Sequence, residues 1–311
     1  MASRAHGLHS AKTPHSSQCF PRLPTYLPRL KSSSSQLHLE NNLNMGDCGT
    51  FAPYILPTPI GDSLPQPLDS PDEISVLITG FGPFKTNHVN ASYLIASSLP
   101  SSFLFPSSKD NEADPRRVSL YVHPTPIPVA YATVRETLPL ILEDFASSHG
   151  GRRPDLVIHI GIAAPRQYYA IETLAHRDDY NMTDINGRPG YVDGEKRWKG
   201  LGLPPILTPG RATDDPSSAS PYQPDDQFLE MWRSFAPESD LRISKDAGHY
   251  LCDFIFYTSM SLAHLQGQDR NVLFLHVPGA SEDANIEQGR IVTLALIKAM
   301  VACWLDKKPS A

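Results

Sequence analysis

Short apolar runs that end on glycine or proline alternate along this chain with longer stretches in which apolar residues recur every three or four positions. The runs at 75–79 (S-V-L-I-T), 118–122, 156–160 (L-V-I-H-I) and 272–277 (V-L-F-L-H-V) predict strands buried on both faces, the habit of parallel sheets. Helical periodicity covers 90–99, 131–147 and 285–305; in the second, Val134, Leu138, Ile141, Leu142 and Phe145 share one side. A further helix is predicted after Asp246, with Ser244 and Asp246 as capping candidates and Tyr250, Leu251, Phe254, Ile255, Thr258 and Leu262 as its apolar positions. Residues 168–193 predict strands and turns, with Asn186-Gly187 as a hairpin signal. The alternation of strands and helices argues for an α/β domain with a mostly parallel sheet.

The pattern breaks at two places. Residues 1–72 are rich in Ser and Pro, with a serine run at 32–35, and predict a poorly ordered tail before a single domain over 73–308. Residues 199–226 are dominated by Pro, Gly, Ser and Asp and predict a long surface loop. The first 39 residues carry no acid, which is compatible with a mitochondrial transit peptide, although four prolines interrupt them. Met45 offers a second explanation, as an internal start of the functional chain.

Charge and cysteine usage narrow the classes. The net charge of −6 and pI near 6 argue against a nucleic-acid binder. Residues 1–44 are +4 (five Lys or Arg, one Glu), which leaves −10 for the rest. No apolar run approaches the roughly 20 residues of a membrane span. The four cysteines, Cys19, Cys48, Cys252 and Cys303, form no C-x-x-C pair, so their spacing suggests neither a metal site nor a disulfide framework. A reducing compartment fits them best.

In open α/β sheets, ligands bind at the carboxyl ends of strands. Gly80-Phe81-Gly82-Pro83-Phe84, Gly161, and His276-Val277-Pro278 all fall there. Cys252 lies near a helix start, where partial positive charge favours a thiolate. Taken alone it reads more readily as a buried structural cysteine. With His276 facing it across the crevice, it becomes a nucleophile with its base. A third group would hold the imidazole, and Glu172, Asp178 and Asp179 all compete for that place. Phe81 and Phe84 are either core contacts of a rigid turn or faces for a ring. The chain carries no Gly-rich phosphate loop, which argues against a nucleoside phosphorylase-like transferase.

Three motifs, V-L-I-T-G-F-G-P-F, S-x-D-A-G-x-Y-L-C-D and F-L-H-V-P, resemble those of pyroglutamyl peptidase I, the pyrrolidone-carboxylate cysteine peptidases. The likeness runs from about Ile74 to the C-terminal helix. Ser244, Ala247, Gly248, Tyr250, Cys252 and Asp253 fit the cysteine box; Gly161, Ala164, Glu172 and Ala175 fit a looser glutamate box. Thr173, Arg177 and Met182 depart from the family pattern, and the loop at 199–226 is extra. The resemblance implies a three-layer α/β/α sandwich with a mostly parallel (mixed) central sheet. It implies a cytoplasmic omega peptidase acting on N-terminal pyroglutamyl peptides without metal or coenzyme. Cys252 would be the nucleophile, His276 the general base and Glu172 its orienting acid. Phe81, Phe84 and Asn90 would shape the pocket for the substrate ring, and backbone groups near Ile162 would read the lactam edge. The alternative is a catalytically silent relative that binds a peptide or small metabolite in the same crevice.

Overall fold

The computed structural model describes residues 73–85, 87–106, 115–212 and 224–306. The predicted tail and the 213–223 part of the predicted surface loop lie outside them. Seven strands form one sheet: β1 (Ile74–Gly80), β2 (Ser102–Phe105), β3 (Arg116–Val122), β4 (Leu156–Ile162), β5 (Tyr169–Glu172), β8 (Leu241–Ser244) and β9 (Val272–Val277), ordered β2-β3-β1-β4-β9-β5-β8. A separate pair is made by β6 (Ala175–His176) and β7 (Ile206–Leu207). The sheet is mixed. The β3-β1-β4-β9 block is parallel, β2 is antiparallel to β3, and β5 runs antiparallel to β9 but parallel to β8.

The central strands are buried along nearly their whole length and mostly apolar because both faces are covered. Residues of one parity, such as Ile78, Ile158 and Leu275, pack under α1 (Ala91–Ser97), α4 (Asp226–Phe235) and α6 (Asp283–Asp306). Residues of the other parity, such as Leu77, Val157 and Phe274, pack under α2 (Tyr131–Ser148) and α5 (Leu251–Leu265). The result is the three-layer α/β/α arrangement expected. A short helix, α3 (Glu195–Gly200), buries Trp198 against the second face.

Three expectations need correction. The helix after Asp246 begins only at Leu251, and neither Ser244 nor Asp246 caps it. Ser244 ends β8, and Asp246 Oδ1 instead accepts the Gly248 N–H at 2.8 Å, closing a turn with Gly248 at φ +80°. Asn186-Gly187 joins no two strands. Asp184 Oδ1 accepts the N–H groups of Asn186 and Arg188, and backbone bonds from Gly187 to Asp184 and from Asp184 to Arg188 close the turn. Much of the predicted surface loop is built structure, since it takes in the end of α3, all of β7 and the buried Leu203 and Leu207.

Pattern reading also left out α4, capped by Asp225 Oδ1 on the Phe228 N–H at 2.8 Å. Phe228 and Trp232 of that helix are buried, and Leu229 and Met231 pack partly against the same core. Trp232 ties it to α6 through Nε1–H donated to the Val292 carbonyl.

One buried polar group sets an acid limit on stability. His159 of β4 is fully buried; Nδ1 pairs with Thr79 Oγ1 at 2.7 Å, while Nε2 has no hydrogen-bond partner among the described residues. Burial pushes its pKa down to about 3. The unfolded chain takes up this proton below pH ~6.5 and the folded chain does not until about 3, so stability falls as pH drops through that window. Between pH 7 and 4.5 the wild-type chain is expected to lose about 2–3 kcal/mol more than His159→Leu. Urea unfolding at both pH values checks this; parallel losses in the two proteins would contradict it.

Candidate active site

The neighbouring strands β4, β9 and β5 place the predicted residues side by side. Gly161 of β4 is in register with His276 of β9, and His276 is in turn opposite Ala170 of β5. Strand alternation turns Gly161, His276 and Glu172 toward the α5 side of the sheet, the face that buries Phe274. Cys252, the second residue of α5, comes down on that same spot. A β-carbon at Gly161 would stand 2.9 Å from Cys252 Sγ and 2.6 Å from Phe274 Cζ. Only glycine leaves the sulfur room to rest over the strand.

His276 is held from behind. Its Nδ1 lies 2.7 Å from Glu172 Oε1, and both side chains are buried. An ionised carboxylate only accepts, so Nδ1 carries the proton and donates, which leaves the lone pair on Nε2. The same Oε1 accepts from Arg166 Nη1 at 3.1 Å, while Oε2 makes no hydrogen bond among the described residues. Arg166 is partly exposed and also reaches the Asp246 carbonyl at 3.5 Å. It balances a charge that would be costly to bury alone. Sequence reading passed over Arg166, because only the fold of the 163–168 turn brings it back onto Glu172.

The rivals for the third position are engaged elsewhere. Asp178 forms a two-pronged pair with Arg177 at 2.8 and 3.0 Å and lies 3.6 Å from Lys199. Asp179 adopts φ +73°, and its amide donates to Glu195. Of the three acids, Glu172 is the one on the imidazole.

The Cys252 thiol departs from expectation. Burial pushes its pKa up to about 12, and the charges of Glu172 and Asp253 add to the rise; Arg166 and the cysteine's own N–H work against it. Near the helix start the dipole favours a thiolate, but desolvation outweighs it here. With its pKa so raised, this half-buried thiol needs a base at hand to ionise.

Beside the sulfur lies a cleft of about 190 Å³, walled by Phe81, Phe84, Asn90, Ile162, Tyr250 and Cys252. All four residues predicted for ligand binding therefore line one space; Tyr250 was predicted only as a core position. Asn90 also braces it. Its Oδ1 caps α1 by accepting from Ser92, and its Nδ2 donates to the Gly82 carbonyl at 2.8 Å. The Phe84 and Tyr250 rings pack at 5.2 Å, with Lys85 Nζ 4.7 Å from the Phe84 ring centre. The volume falls below the roughly 300–1,000 Å³ of sites for drug-sized ligands and suits a small ring. A larger cavity, about 440 Å³, lies at the opposite strand ends around Asp155, Val157 and Val272 and holds none of the predicted chemistry.

No model of a known protein family matches the chain. Mouse pyroglutamyl-peptidase 1 is 29% identical over 227 residues, 73% of this chain and 90% of the mouse protein. Human pyroglutamyl-peptidase 1 is 28% identical over the same shares of both chains. Among solved structures, the X-ray structure of pyrrolidone carboxyl peptidase from Pyrococcus furiosus superposes with a TM-score of 0.51 at 21% identity, covering 73% of this chain and 98% of that one, and shows a shared fold. In sequence and motifs the chain is similar to proteins named pyroglutamyl-peptidase 1 and pyrrolidone-carboxylate peptidase, and it shares the fold of the latter.

Proposed function

We propose that the chain is a cysteine peptidase that removes L-pyroglutamate from the N terminus of peptides, with Cys252 as nucleophile, His276 as general base and Glu172 as the acid that orients it. The observation that carries this is the Glu172–His276 hydrogen bond set beside the Gly161 notch that seats the Cys252 sulfur.

The chemistry follows from the neutral thiol. His276 Nε2 takes the Cys252 proton as Sγ attacks the pyroglutamyl carbonyl, and Glu172 supports the imidazolium that forms. The Cys252 N–H, in the first turn of α5 and so without an intrahelical acceptor, is placed to stabilise the oxyanion, a contact often worth about 3 kcal/mol. The C–N bond breaks, the amine leaves with the proton from His276, and a thioester remains. His276 then deprotonates water, which hydrolyses the thioester and frees the thiol.

A pyroglutamyl group is an uncharged five-membered lactam. The Phe81, Phe84 and Tyr250 walls suit its faces, and the backbone at Ile162 suits its N–H and C=O edge. A peptide with a charged α-amine would lose hydration there without recompense. No helix among the described residues is long and apolar enough to cross a membrane. A reactive thiol belongs in a reducing compartment, for which we propose the cytoplasm.

The substrate class is tested by fluorophore release from L-pyroglutamyl, L-prolyl and L-alanyl coumarin amides, each with and without iodoacetamide. Release from the pyroglutamyl amide alone, abolished by the alkylating agent, is expected. Comparable release from the prolyl or alanyl amide would overturn the assignment. Binding of pyroglutamate without turnover would instead make the chain a silent relative.

A further inference from the structure

Spacing along the sequence suggested no metal ligands, but the fold gathers three potential ones beside the nucleophile. His176 of β6, His249 in the turn before α5 and Asp253 in its first turn each offer one ligand atom, all within 4.8 Å of one another. The two imidazole rings stand 4.6 Å apart.

The state of these groups points to a ligand. Asp253 is fully buried, and its carboxylate is fixed by the Tyr180 hydroxyl at 2.9 Å and by the His176 backbone N–H. His176 Nδ1 is buried and lies 3.3 Å from Asp253 Oδ2, an ion-pair contact when the ring is protonated, and among the described residues it makes no closer hydrogen bond. A buried ring nitrogen held only by so loose a contact can take a closer partner. His249 Nδ1 sits 3.2 Å from the Asp178 carbonyl. Donation of Nδ1–H to that carbonyl frees Nε2 as a ligand, the arrangement usual for metal-bound histidine.

We propose that His176, His249 and Asp253 bind a divalent transition-metal ion of the zinc class. Two imidazoles and a carboxylate suit such an ion and leave a fourth position for water. Metal bonds of about 2.0–2.1 Å place tetrahedral ligand atoms roughly 3.3 Å apart, so the site closes by a small inward move of the exposed His249. That move is open to it because Gly248, at φ +80°, precedes it in the turn. A bound ion would pin this turn to α5, and with it Tyr250, the cleft wall that packs on Phe84.

The test uses the full chain carrying Cys252→Ser, which removes the neighbouring thiol as a competing ligand. Co²⁺ is titrated in while its visible ligand-field absorption is followed, then displaced with Zn²⁺. One equivalent is expected to bind, with affinity at least tenfold weaker when His249→Ala is added. Zn²⁺ should raise the melting temperature of the Cys252→Ser chain and leave that of the double variant unmoved. His176→Asn, which keeps the backbone N–H on Asp253, is a second probe and should weaken binding likewise. No uptake by the folded chain, or uptake equal in the His249 and His176 variants, would overturn the site and leave the trio a structural network.

Discussion

Cys252→Ser is expected to fold normally and to lose at least about four orders of magnitude in kcat/KM on a pyroglutamyl amide. The change keeps shape and volume, so the Gly161 notch still accepts the side chain. A hydroxyl, however, is far harder to ionise than a thiol, and burial here already pushes even the thiol up to about 12. His276 draws a proton from sulfur at that cost far more readily than from a serine oxygen in the same place. His276→Ala should fall comparably, because it removes the proposed base that Glu172 orients. The double variant should be no worse than either single one, since residues acting as a unit are not additive. Rates with melting temperatures check this. A serine variant within tenfold of wild type, or singles whose losses multiply in the double, would contradict it.

Glu172→Gln is expected to lower kcat about a hundredfold or more with KM little changed. The corresponding carboxylate in a serine triad is worth about four orders of magnitude. A sulfur nucleophile is intrinsically better, so a smaller loss is expected. The loss arises in two ways. A Gln amide lets the imidazole take the other tautomer, with the proton on Nε2, and it removes the charge that stabilises the imidazolium. Arg166, partly exposed, can turn to water when its partner is neutralised, so the fold should hold. Asp178→Asn and Asp179→Asn, whose bonds run to Arg177, Lys199 and Glu195, should stay near wild type. A dead aspartate variant beside an active Glu172→Gln would mean that the third residue lies elsewhere. Near-wild-type turnover in all three would leave a Cys/His pair working alone.

The core of the fold was legible because burial on both faces imposes a simple pattern. The runs of β1, β4 and β9 are mostly apolar and end where the chain needs a turn, and the bounds read for β9 match the structure residue for residue. The start of α5 was not. Ser244 and Asp246 satisfy the local chemistry of a helix cap, but β8 pairing and the Gly248 turn use them first. The choice among Glu172, Asp178 and Asp179 rests on the antiparallel placement of β5 against β9, a long-range pairing with no local signal. Arg166 and the His176–His249–Asp253 trio share that origin, in contacts across 6 to 77 residues of chain. The thiol's state was misjudged for a related reason. The helix start is visible in sequence, whereas the desolvation that outweighs it belongs to the packed site.

The most direct measurement is a time course of substoichiometric iodoacetamide treatment, following pyroglutamyl-amide turnover and, by peptide mass mapping, the fraction of Cys252 alkylated. Turnover should fall in proportion to Cys252 modification, and an excess of the pyroglutamyl amide should slow both together. Full alkylation of Cys252 with turnover retained, or turnover lost while Cys252 remains unmodified, would contradict its role as the nucleophile.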